Sequence, residues 1–62
     1  MMRVGDRVNT PHGVGTIKEI KAHRGFKTYG VLHDIFPKQF SIGFFTNNIL
    51  YYFDREITKL EE

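Results

Sequence analysis

Val4-Gly5-Asp6-Arg7-Val8-Asn9-Thr10-Pro11-His12-Gly13-Val14-Gly15-Thr16-Ile17-Lys18-Glu19-Ile20 is the stretch on which the reading of this chain turns. A short strand over Arg7, Val8 and Asn9 runs into a tight turn, Thr10-Pro11-His12-Gly13, and a second strand leaves it. Pro11 suits the second position of a type I turn, where its locked φ costs nothing, and Gly13 suits the fourth, with a positive φ open to it. Gly15 leaves room for another backbone or a ring to pass close. Ahead of the strand, Gly5-Asp6 reads as a turn in which Asp6 accepts from nearby backbone N–H groups.

The second strand, from Gly13 to about Ala22, carries an irregularity. Ile17 and Ile20 are three residues apart, and strict alternation puts them on opposite faces. A helix would explain the spacing, but Gly13, Gly15 and Thr16 argue against one. A bulge near Lys18-Glu19 turns both isoleucines inward and bends the sheet, as small barrels require.

The rest of the chain continues in strands. Lys21 to Lys27 is a polar connection, and Thr28 to His33 a third strand. Asp34 to Pro37 is a break. Residues 39 to 53 are expected to form a β-hairpin, with Thr46-Asn47-Asn48 at its turn because Asn tolerates the left-handed conformation. Asp54-Arg55-Glu56 is a single 3-10 turn that Asp54 would cap, and Ile57 to Leu60 a last short strand. The expected core is Val4, Val8, Val14, Ile17, Ile20, Tyr29, Val31, Phe53, Ile57 and Leu60, with part of the 40–51 hairpin. The fold class is therefore all-β: a small SH3-like barrel of about five short antiparallel strands with a 3-10 turn before the last.

Composition narrows the function. The chain has 62 residues, no Cys, six Phe, three Tyr and a formal net charge of +2. One domain spanning 1–62 is expected, and a domain of this size buries only about 60% of its unfolded surface. No disulfide or evident metal site staples it, so aromatic burial must supply much of the stability. There is no apolar run of about 18 residues to span a membrane, and no apolar core of a secretory signal. With the absence of Cys, a cytoplasmic location is expected.

The run Gly5-Asp6-Arg7-Val8 … Pro11-His12-Gly13-Val14-Gly15-Thr16-Ile17 … Ile20 resembles the opening of small SH3-like barrels. These include the KOW modules of transcription and translation factors and the polymerase-interacting domain of CarD-type regulators. The run Tyr29-Gly30-Val31 … Asp34 … Tyr52-Phe53-Asp54-Arg55-Glu56-Ile57 … Leu60 is similar to their later strands and 3-10 turn. The resemblance implies a binding module that engages nucleic acid or a nucleic-acid-bound protein complex. The chain departs from it at about 35–48, where those barrels have a short turn and this sequence has an aromatic-rich insertion. Stand-alone small proteins of this look also occur in phage and prophage genomes.

Two candidate surfaces follow. The first is a basic loop: Lys18, Lys21, His23, Arg24 and Lys27 for phosphates, with Phe26 to stack on an unpaired base. Against it stands a solvated hairpin kept soluble by charge, with Phe26 folded back and Glu19 diluting the field. The second is apolar: Phe36, Phe45, Leu50 and Tyr52, some of which should stay exposed and mark a protein partner. That partner would be a host protein, as for a phage product that binds a host complex or defence enzyme, or a second copy of this chain. Against it, the insertion folds over the barrel as a lid. An aromatic cage of Tyr29, Tyr51, Tyr52 and Phe53 is disfavoured because residues 51 and 52 point to opposite faces. No catalytic residue, metal ligand or cofactor motif is evident: Ser41 has no nearby base, and His12, His23 and His33 lack ligand spacing.

Overall fold

The computed structural model describes residues 1–40 and 48–60. Five strands form one antiparallel sheet: β1 (Arg7–Thr10), β2 (Gly13–His23), β3 (Phe26–His33), β4 (Ile49–Phe53) and β5 (Thr58–Lys59). Two 3-10 turns, Lys38–Phe40 and Asp54–Glu56, precede β4 and β5. The order across the sheet is β4-β3-β2-β1-β5. All five strands and the 3-10 turn before the last agree with the expectation, but the sheet is not closed into a barrel. Among the described residues no ladder joins β4 to β5.

The opening stretch folds as its residues require. Thr10 pairs with Gly13, so Pro11 and His12 alone make the turn. Gly13 has φ +117°, a value that L side chains rarely adopt. The Thr10 hydroxyl donates to the Gly13 carbonyl at 2.7 Å and accepts from the His12 amide at 3.0 Å. Upstream, Asp6 Oδ2 accepts from the Arg3 amide at 2.8 Å, and Gly5 turns the chain at φ +98°.

The bulge lies where the isoleucine spacing puts it. The β2–β3 register shifts between Ile17 and Glu19, leaving Lys18 as the extra residue. Ile17 is fully buried and Ile20 packs against the core from its margin. The core itself is Val8, Ile17, Tyr29, Val31, Tyr52 and Ile57. Five expected core residues are not in it: Ile20 at the margin and Leu60, both only half-buried, and three that face solvent. Val4 sits in the turn before β1 and is exposed; Val14 pairs with Asn9 on the outer face; Phe53 also points outward. Tyr52 takes the inward place instead, opposite Tyr29 in the β3–β4 ladder.

Other boundaries differ. The Lys21–Lys27 connection is mostly strand: β2 and β3 continue to His23 and Phe26, and only Arg24-Gly25 turns, with Gly25 at φ +85°. The 39–53 hairpin does not start as expected, because Phe40 belongs to a 3-10 turn and β4 pairs with β3. The rest of the strand expected there, residues 41–45, lies outside the described residues. Asn48 has φ +60°, the left-handed conformation expected there. Asp54 does not cap its own turn; the Glu56 carboxylate accepts from the Phe53 amide at 2.8 Å.

Candidate nucleic-acid interface

Alternation along three strands decides which side chains share the outer face of the sheet. The pairs Lys21–Thr28 and His23–Phe26 place Lys21, His23 and Phe26 on one side. The pairs Gly30–Tyr51 and Thr28–Phe53 bring Tyr51 and Phe53 to the same side. Three rings therefore stand in solvent on one face: Phe26 is 50% exposed, Tyr51 45% and Phe53 39%.

Each ring carries a polar neighbour. The Lys21 ammonium stands 4.9 Å from the Tyr51 ring centroid. The Arg55 guanidinium stands 5.0 Å from that of Phe53. His23 stacks on Phe26 at 4.6 Å and 11°, and Phe26 meets Phe53 edge to face at 5.7 Å. The Tyr51 hydroxyl donates to Glu19, two strands away, so its ring lies across the sheet over Gly30. That hydrogen bond, followed by burial and the Glu19 charge, raises the Tyr51 pKa above the usual tyrosine value.

Of the six residues expected on this surface, Lys21, His23, Arg24, Phe26 and Lys27 gather at the end of the β2–β3 hairpin. Lys18 does not join them. It sits on the bulge, roughly 20 Å along β2 from the turn. Lys27 points to the opposite face from Lys21 but lines a groove with Phe26, Phe53 and Arg55. Among the described residues Arg24, Lys27 and Arg55 make no ion pair, whereas Lys21 lies 3.6 Å from Glu19. Tyr51, Phe53 and Arg55 belong to the surface and were not expected there. Their signal was the i, i+2 spacing of Tyr51 and Phe53, obscured by a run in which every residue from Ile49 to Phe53 is apolar.

The apolar surface does not assemble as expected. Tyr52 is buried at 4% exposure, and Leu50 packs against the core on the same inner face. Phe36 is half-buried with its ring 6.4 Å from that of His33. Phe45 lies outside the described residues.

Behind the sheet is a second polar group that the sequence did not announce. The Tyr52 hydroxyl lies 2.8 Å from His33 Nε2, 3.1 Å from His12 Nδ1 and 3.4 Å from the Thr10 hydroxyl. Thr10 and His33 are themselves 3.2 Å apart. His33, the last residue of β3, is buried, with Nδ1 making no hydrogen bond among the described residues. Burial and then the nearby His12 lower its pKa below the usual histidine value, with Val31 and Asp34 opposing. Burial raises the Tyr52 pKa. This cluster pins the β1–β2 turn to β3 and β4. Among the described residues no group of three or more His, Cys, Asp or Glu side chains is placed to hold a metal ion. None of the described helices is long and apolar enough to cross a membrane.

No family model, curated protein or solved structure matches the chain.

Proposed function

We propose that this chain is a non-catalytic module that binds single-stranded nucleic acid on the outer face of β2, β3 and β4. The observation that carries the reading is the exposure of Phe26, Tyr51 and Phe53 on one sheet face, interleaved with Lys21 and Arg55. Rings offer stacking to any base, and cations between them meet the phosphates. An exposed cation–π contact is worth about 0.5–1 kcal/mol, while stacking a base on a ring is worth about 1–3 kcal/mol. An arriving base therefore displaces the lysine from the ring, and the freed ammonium turns to the backbone. Arg24 and Lys27 extend the same positive edge beyond the core.

The test is salt-dependent binding of a labelled single-stranded oligonucleotide, followed by anisotropy. With Lys21, Arg24, Lys27 and Arg55 each neutralising one phosphate, log affinity should fall with log salt at a slope of roughly −3. Tyrosine is the intrinsic fluorophore here, since the chain has no Trp. Of Tyr29, Tyr51 and Tyr52 only Tyr51 is exposed, so stacking should quench its emission alone. An affinity indifferent to salt, or no binding at low salt, ends this reading.

A further inference from the structure

β4 stops at Phe53, opposite Thr28, whereas β3 continues outward to Phe26. The chain then turns away through the Asp54–Glu56 turn. A groove of about 460 Å³ opens between that turn and the Arg24-Gly25 hairpin end. Its size is within the range of small-molecule sites, about 300–1,000 Å³. Phe26 and Phe53 supply rings, Lys27 and Arg55 supply cations, and Tyr29 and Asp54 complete the lining.

We propose that this groove is a guanine-reading subsite of the nucleic-acid surface, with Asp54 as the residue that sets the base preference; it rests on the reading above. A carboxylate on a surface for a polyanion needs donors: Glu19 has Tyr51 and Lys21, and at Asp54 the ligand would bring them. Ionised Asp only accepts hydrogen bonds. The Watson–Crick edge of guanine presents two adjacent donors, N1–H and the 2-amino group. Adenine and cytosine set their amino donor beside a ring-nitrogen acceptor. Uracil and thymine set N3–H between two carbonyl oxygens. Both carboxylate oxygens are therefore satisfied by guanine alone, and any other base turns a lone pair towards one of them.

Asp54 is placed for this role by its surroundings. It is the first residue of a turn held by the Glu56–Phe53 hydrogen bond at 2.8 Å and by the Ile57 amide to the Asp54 carbonyl at 3.4 Å. Beneath it, Tyr29 is anchored in the core. Burial raises the Tyr29 pKa, and the Asp54 charge raises it further; both residues line the groove. The rings of Phe26 and Phe53 border the same space for the base, and Lys27 and Arg55 flank it for the adjoining phosphates.

The experiment compares a labelled uridine octanucleotide with octanucleotides carrying one central guanosine, adenosine, cytidine or inosine. Inosine keeps N1–H and lacks the 2-amino group. The unaltered chain should bind the guanosine oligonucleotide roughly tenfold or more tighter than the others, and inosine should lose most of that gain. Asp54→Asn should abolish the preference and leave uridine affinity equal or higher, since a negative charge is removed. Equal binding of all five oligonucleotides, or a guanosine preference that survives Asp54→Asn, overturns the subsite while the stacking surface stands. Failure of every oligonucleotide to bind at low salt removes the parent reading and the subsite together. The inosine comparison needs no variant, so it decides the matter even where Asp54→Asn folds poorly.

Discussion

Tyr51 lies over the bare backbone of Gly30, its partner in the β3–β4 ladder: a Cβ built at Gly30 would come within 2.9 Å of Tyr51 Cε2 and 2.8 Å of Glu19 Cγ. The absent side chain is what seats the ring flat enough for its hydroxyl to reach Glu19 on β2. A glycine in the middle of a strand weakens the strand, and a ring lying across it covers the exposed backbone.

Gly30→Ala should therefore act on binding more than on stability. The atoms that a methyl group meets belong to side chains that can swing away, so the urea midpoint should move little. The Tyr51 ring should lift off the sheet, losing its bond to Glu19. Oligonucleotide affinity should fall towards that of Tyr51→Ala, which should lose roughly five- to a hundredfold. Parallel urea titrations and anisotropy curves check both halves.

Gly15→Ala should do the opposite. There the added carbon meets the Leu32 carbonyl oxygen and Val31 Cγ1, each at 2.6 Å, and backbone cannot swing aside. Overpacking of this kind costs about 1–3 kcal/mol, a large share of the stability of so small a domain. Urea denaturation monitored by circular dichroism should show the loss. Gly13→Ala is the control for a different cause: no atom lies within 4 Å, but φ is +117°, so strain alone should destabilise it.

Tyr52→Phe should destabilise by about 1–3 kcal/mol, because it removes the hydroxyl that His33 and Thr10 share in the interior. Stability should also depend on pH through His33. Its folded pKa lies below the ordinary 6.5, so the unfolded chain takes up a proton that the folded chain refuses. The contribution is fully present above about pH 6.5 and is lost as pH falls towards the folded value. Urea midpoints measured from pH 8 to pH 5 should decline, and His33→Gln should flatten that decline. A midpoint constant across this interval would remove the argument.

Asp34 should give a second, more acidic limb. Arg7 Nη1 donates to its carboxylate at 2.6 Å and Nη2 bonds the other oxygen, and these hydrogen bonds hold the Asp34 pKa below 3.8. Stability from this pair is present above the unfolded carboxylate value and is lost as pH falls through the folded one. Both side chains are substantially exposed, so the effect should be modest and should weaken with salt. A carbonyl-carbon titration of Asp34 with and without Arg7→Ala measures the shift directly.

By itself the sequence determined where the chain turns and bends. Pro11 with Gly13, and two isoleucines spaced three apart, admit few backbone paths, and those paths are local. The strand count and the 3-10 turn at Asp54–Glu56 followed from the same short-range constraints. Which way Ile49–Phe53 faces was not local: every residue in it is apolar, so a shift of one residue exchanges core for surface without changing the pattern. Pairing of Tyr52 with Tyr29 decided that parity, burying Tyr52 and turning Tyr51 and Phe53 out. The open sheet, the histidine–tyrosine cluster and the groove beside Asp54 were likewise tertiary outcomes, because each joins residues that only the strand register brings together.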